Sequence, residues 1–413
     1  MGEFTSVKGC FSLTLISRHG VREPRNAWSD GPENIMQCPS PPGTSFLQEI
    51  NFTTEEGTLY SDWSRATVRG AIIILPAIGT SYSYPRPHAE DTMVLASWFK
   101  GDVKAIIMEA PATGGDSNTL DAFTINGQPG DLYNCSSNST YRVMVDYGKT
   151  YLLRIVNAVM NKGMFFRIAN HSLTVVWMDA AYLKPIETSS IMITPGQMMD
   201  VLMKADQEPS HYYMAGSPFA DTTAPFNNTT TTAIQRQLHT PARAHPVNVP
   251  KKINKRIFFT VSVNQIYCPN ASCAGPNGNR LAASLNNRSF QTPKIDILGA
   301  YYWSLPGVYN ATFPDKPPYF FNFTGDVGNI SLSPCLDTAV KMINYGTAVE
   351  IIFKGTNLGA PENQPMHQHG YSFYVVGMGW GNFDKKADPK TRKLVDLPEV
   401  NTFGVPKNGL AHD

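Results

Sequence analysis

From Ala71 to Val376 the chain is a succession of short apolar segments rich in β-branched and aromatic residues, each cut off within a few positions by glycine, proline, asparagine or aspartate. Such side chains pack well on a pleated surface and lose rotamer freedom in a helix. The segments read as strands are Ala71 to Pro76, Lys104 to Met108, Tyr141 to Val145, Tyr151 to Val156, Met164 to Ile168, Leu173 to Met178, Ile191 to Thr194, Met199 to Met203, Ile257 to Val263, Tyr319 to Phe323, Val349 to Phe353 and Tyr371 to Val376. Long helical periodicity is nearly absent. Many short strands with turn signals at close spacing predict an all-β protein made of sandwiches or barrels.

Two stretches resemble each other at a distance. Gly148-Lys149-Thr150 leads through a strand to Asn157 and on to His171, and Gly346-Thr347-Ala348 leads through a strand to Asn357 and on to His369. This pattern predicts one β-domain used more than once. The Pro/His-rich Tyr84 to His88 and the polar stretch from Pro225 to Pro250 read as linkers, which divides the 413 residues into 1–85, 86–240 and 241–413. With 42% hydrophobic and 16% charged residues the chain can bury large cores. A net charge of +1 gives no electrostatic footprint for nucleic acid, and no apolar run reaches the length of a membrane span.

The surface reads as secreted. Eleven Asn-x-Ser/Thr acceptors begin at Asn51, Asn134, Asn138, Asn170, Asn227, Asn228, Asn270, Asn287, Asn310, Asn322 and Asn329. Six cysteines, Cys10, Cys38, Cys135, Cys268, Cys273 and Cys335, allow 15 disulfide pairings, of which Cys268–Cys273 would close a short loop. No signal peptide is visible: Met1-Gly2-Glu3-Phe4 lacks a basic start, and the apolar piece that follows is short and interrupted.

The chemistry-bearing stretch is Gln364-Pro365-Met366-His367-Gln368-His369-Gly370. Two histidines at i and i+2 on an extended strand point to one face, with Cα atoms about 6–7 Å apart. Imidazoles so placed suit copper, zinc, iron or nickel, and the pair alone does not choose among them.

The choice comes from the surrounding motifs. Arg18-His19-Gly20-Val21-Arg22 with Trp28-Ser29-Asp30-Gly31-Pro32 and Gln37-Cys38-Pro39 resembles the first copper motif of plant laccases, which are three-domain multicopper oxidases. Gly57 to Val68 resembles the flanks of their second motif. Asp121 to Pro129, Asn134-Cys135-Ser136 and Gly148 to Arg154 resemble the middle domain. Cys268-Pro269-Asn270, Gly275 to Gly278, Met366 to Asp384, Asn401-Thr402 and Gly404-Val405-Pro406 resemble the third. The resemblance runs from about residue 17 to residue 409, with the motifs in the family's order.

It implies tandem cupredoxin-like β-sandwich domains, the first and last incomplete here. It also implies a secreted, apoplastic, monomeric enzyme that oxidises small phenols and reduces O2 to water. In this family ten histidines and one cysteine hold four coppers. By family role His19 and His369 are type 3 ligands and His367 is the type 2 ligand. The other ligand positions depart from the pattern. Ser17-Arg18-His19 keeps only the second histidine of the first pair, and the second pair would fall between Tyr60 and Ser61, where about four family residues are lacking. Gln364 stands where a histidine opens the third motif, and the His-Cys-His relay would lie beyond Asp413. The ligands present therefore support at most one copper. Two functions are expected of such a chain: a laccase acting on hydroquinone-type and lignin-derived phenols, or a non-catalytic extracellular β-sandwich glycoprotein derived from one.

Overall fold

The computed structural model describes residues 2–4, 17–23, 26–29, 31–41, 48–50, 52, 55–62, 69–115, 120–133, 136, 140–219, 238–241, 245, 247–320, 322, 333–356 and 363–412. Strands dominate. Two α-helices lie among these residues, Val103–Thr113 and Ile297–Tyr302.

Among the described residues the largest buried cluster lies in the middle lobe. Its larger sheet has six strands in the order Ala181–Thr188, Leu173–Met178, Met198–Lys204, Thr150–Ala158, Ala89–Trp98, Ala122–Ile125. Its smaller sheet is Ile191–Ile193, Met164–Ile168, Met214–Pro218. Met93, Leu95, Leu153, Ile155 and Val201 of the first sheet meet Phe166, Ile191 and Ile193 of the second in one buried cluster.

The strand Thr150–Ala158 is buried on both faces, and the twofold period of a strand decides what each face meets. Leu153 and Ile155 enter the core between the sheets. Leu152 and Val156 face the other way and pack with Val21, Leu59 and Tyr60 of the first lobe.

The first lobe contributes a three-stranded sheet, Ser17–His19, Gly57–Asp62, Arg69–Ile74. The last lobe has a seven-stranded sheet in the order Cys335–Asp337, Arg288–Phe290, Arg280–Leu285, Lys255–Ile266, Val349–Gly355, Gly409–His412, Gly377–Trp380. Facing it are two ribbons, Gln364–His367 with Thr402–Val405 and Phe373–Tyr374 with Glu399–Val400. The internal likeness seen in the sequence has a topological counterpart. Thr150–Ala158 pairs in parallel with Ala89–Trp98, and Val349–Gly355 pairs in parallel with Lys255–Ile266.

Four expected strands differ. Lys104 to Met108 lies in the helix Val103–Thr113, which the Asp102 side chain caps at Lys104 N–H (2.9 Å) and Gly114 ends at φ 78°. Capping and a left-handed stop outweigh a short apolar run that fits either structure. Tyr141 to Val145 is unpaired, as are Tyr319 and Phe320, while Phe321 and Phe323 lie outside the described residues. Of Tyr371 to Val376 only Phe373–Tyr374 forms a ladder. Cys268 and Cys273 are bridged, with Cα atoms 6.0 Å apart. Cys38 and Cys335 are free thiols, and Cys10 and Cys135 lie outside the described residues.

Candidate metal centre

His19 closes the strand Ser17–His19, opposite Tyr60. The chain then turns at Gly20, where φ is 93° and a Cβ would come 2.5 Å from Leu59 Cδ2, so glycine is required there. His19 is buried, with its ring 5.4 Å from that of Tyr60.

His367 closes the strand Gln364–His367, opposite Thr402. Its Nδ1 lies 2.9 Å from the Asn401 carbonyl oxygen and 2.9 Å from Thr402 Oγ1. A carbonyl oxygen only accepts, so Nδ1 carries the proton and Nε2 keeps the lone pair. The Thr402 hydroxyl donates onward to Asn401 Oδ1 at 2.8 Å and is therefore also an acceptor toward the ring. This outer support fixes the tautomer that a metal needs.

His369 is not on the strand. The ladder ends at His367, and His369 sits with Gly370 in a turn, Gly370 having φ 68°. The expected alternation along one strand is thus replaced by a turn, yet the two rings remain neighbours at 4.6 Å, edge to face.

The three histidines converge across the seam between the first and last lobes. Ring centroids are 3.9 Å apart for His19 and His367, and 6.2 Å for His19 and His369. The seam is stitched beside them by Glu23 N–H to the Gly370 carbonyl (3.1 Å) and by the Arg22–Glu399 ion pair (3.0 Å). Among the described residues no three His, Cys, Asp or Glu side chains form a ready-made metal cage. The rings are neighbours rather than a closed coordination shell. The hydrogen bonds at His367 Nδ1 leave Nε2 as the nitrogen that carries the lone pair, and imidazoles as a class suit copper, zinc, iron or nickel.

The other expected ligand positions lie elsewhere. Where a second histidine pair would fall, residues 60–62 are paired without a break on both sides, Tyr60 opposite His19 and Ala71, Ser61 opposite Arg18 and Gly70. Gln364 lines a cleft of about 430 Å³ with Met366, Ser262 and Leu285, and none of the three histidines is among the residues lining it. Of the six remaining histidines, four keep separate company: His171 at the Ala169 carbonyl, His88 near Asp146, His245 on Ser83, His412 beside Glu350.

Two residues that the sequence did not single out stand behind the centre. Asp179 is buried, and burial pushes its carboxyl up to about 8 against the pull of donors from Met198 N–H, the Gln197 amide and Thr402 N–H. Gln197, also buried, donates from Nε2 to the Thr402 carbonyl at 3.3 Å. No local signal marks either one, because the contacts that tie them to the centre reach across more than 200 positions of chain, 205 between Gln197 and Thr402 and 222 between Asp179 and Asn401.

Comparison with known proteins bears on the family and the fold. Multicopper oxidase family models match residues 12–77, 90–240 and 302–411. Laccase-14 of Arabidopsis thaliana is 44% identical, over 97% of this chain and 76% of its own length. Putative laccase-9 of Oryza sativa subsp. japonica is 43% identical, over 96% of this chain and 76% of its own. In fold, the chain is similar to the crystal structure of Fet3p, a multicopper oxidase that functions in iron import (TM-score 0.70, 18% identity, 98% of this chain and 76% of that one). It is also similar to the laccase from Botrytis aclada (TM-score 0.64, 19% identity, 96% and 72%). Three cupredoxin-type lobes, family models along the chain and relatives above 40% identity lead to one conclusion: the chain belongs to the multicopper oxidases, as a laccase of the plant type, and copper is the metal of its family.

Proposed function

We propose that this laccase acts outside the cell as a monomer on small phenols of the hydroquinone and lignin-derived classes, with O2 as acceptor, in lignin degradation and the detoxification of its products. His19, His367 and His369 are its copper ligands, and they suffice for one ion. The observation that carries the assignment is the convergence of these three rings from two lobes, His19 and His367 at 3.9 Å. Copper, when bound, supplies one-electron redox chemistry. The chain's own part is to hold the His367 ring through Nδ1, to present Nε2, and to keep His19 buried at the seam. Four one-electron oxidations of phenol balance the reduction of O2, with four protons, to two waters.

The secretory reading rests on the sequons. Asn170, Asn270 and Asn322 are exposed, while Asn287 and Asn310 are half-buried. Asn51, Asn134, Asn138, Asn227, Asn228 and Asn329 lie outside the described residues. No helix among the described residues is long and apolar enough to cross a membrane. The lobes are proposed to correspond to residues 1–85, 86–240 and 241–413.

A second reading, a non-catalytic glycoprotein that binds one metal, is favoured by the unbroken ladder at Tyr60 and Ser61 and by the placement of Gln364 in a separate cleft. Copper content and phenol-dependent O2 uptake of the purified chain separate the two. One copper per chain is the expected load, and His367→Ala with His369→Ala abolishes it. Unchanged metal content in that double variant overturns the ligand assignment. Phenol-dependent uptake supports the enzyme, whereas one bound copper without uptake supports the second reading.

A further inference from the structure

The middle lobe supplies no histidine to the centre, yet one of its turns touches both lobes that do. The turn Thr194–Gln197 joins the strands Ile191–Ile193 and Met198–Lys204. It is held from within: Gln197 Oε1 accepts from Thr194 N–H (3.1 Å), Gly196 N–H donates to the Asn157 carbonyl (2.8 Å), and Asn157 N–H donates to the Gln197 carbonyl (3.1 Å). Gly196 has φ 80°, and a Cβ there would come 2.9 Å from His19 Cε1, so its bare backbone packs directly on the His19 ring. On its other side the turn grips the last lobe. Gln197 Nε2 donates to the Thr402 carbonyl, and it lies 3.4 Å from Asp179 Oδ2, whose carboxyl takes the Thr402 N–H. Asn401 Nδ2 reaches the Asp179 carbonyl oxygen at 3.4 Å, and Thr194 Oγ1 lies 3.0 Å from where a Cβ on Gly404 would be. Residues 401 and 402 are the two that hold His367 Nδ1.

We propose that the Thr194–Gln197 turn is a positioning device for the metal centre: Gly196 sets the place of the His19 ring, and Gln197, with Asp179, sets the Asn401–Thr402 segment that fixes the tautomer and direction of His367. This rests on His19, His367 and His369 being copper ligands. Gln197→Met keeps the side-chain volume and removes the donor. Outer-shell groups of this kind typically govern metal affinity by about 10–100-fold.

Two readouts on the full chain test it, Cu(II) affinity by competition and the 15N shifts of His367 in the metal-free protein. In the parent chain His367 is expected as the single Nδ1–H tautomer. In Gln197→Met it becomes a mixture and Cu(II) binds roughly tenfold or more weakly, while thermal unfolding stays cooperative. A parent-like tautomer and parent-like affinity in Gln197→Met overturn the proposal. Should that variant not fold, Gly196→Ala, which drives a methyl into His19, carries the same two readouts and the same criterion. The double variant His367→Ala/His369→Ala separates the levels. If it still binds Cu(II) like the parent, the ligand assignment fails. If it does not, and Gln197→Met is unchanged, the positioning role alone fails.

Discussion

Asp179 is the single residue where burial and charge conflict most openly. Its carboxyl is wholly enclosed and pushed up to about 8, whereas the ordinary value is 3.8. Between these limits the folded chain holds a proton that the unfolded chain has released. Stability therefore falls as pH rises from about 4 to about 8 and is flat in this group above that. Asn is the isostere of the protonated acid. Asp179→Asn is expected to remove this slope and to leave the variant more stable than the parent at pH 9, by on the order of a few kcal/mol. Urea midpoints measured at pH 5, 7 and 9 check it, and parallel pH profiles for the two proteins would count against a buried, raised carboxyl. The sequence showed the histidines at once, because His-x-His and His-Gly are local patterns. It was silent on Asp179 and Gln197, whose meaning depends on which distant segment the fold delivers to them.

At the level of the strand, a buried ion pair of the middle lobe anchors the first lobe through Thr58. Arg154 and Asp200 are directly opposed on neighbouring strands and meet at 2.6 Å, each almost fully enclosed. Arg154 also reaches Glu90 at 2.7 Å, and Thr58 of the first lobe donates to Asp200 at 2.6 Å. Removing one partner leaves the other charge buried and uncompensated. Arg154→Met is expected to cost about 3–5 kcal/mol, read as a lowered unfolding midpoint. Adding Asp200→Leu should restore most of that loss. A double variant no more stable than Arg154→Met would show that the charge is not what fails. Strands of this kind were legible where they are long and apolar, as at Thr150–Ala158 and Met198–Lys204. The polar residues within them were not, since a sequence gives the face a residue occupies but not the lobe that will cover it. The helix Val103–Thr113 was missed although Asp102 and Gly114 are fair capping signals. Its apolar stretch is short enough to pass for a strand.

Over the whole molecule stability is uneven. Among the described residues the middle lobe holds the largest buried cluster and both faces of its central strand are covered, whereas the first lobe offers a three-stranded sheet that leans on it. Local opening free energies follow such differences. Native-state hydrogen exchange is expected to find the slowest amides in Thr150–Ala158 and Met198–Lys204, and faster exchange in Ser17–His19 and Arg69–Ile74. Equal protection in both would mean that the first lobe does not open on its own.

The parallel pairings of Thr150–Ala158 with Ala89–Trp98 and of Val349–Gly355 with Lys255–Ile266 have a further bearing, on how the chain is made. Each is bridged by a carboxylate and a guanidinium, Glu90 with Arg154 across 64 residues of chain and Arg256 with Glu350 across 94. A ribosome adds about 5–20 residues per second. The opening strand of the last lobe thus waits roughly 5–20 s for the strand that closes it. Through that interval Lys255–Ile266 stands with one edge unmatched, long enough for a nascent chain to meet whatever shields such edges. The closure that gives each lobe its architecture also makes its synthesis a matter of timing.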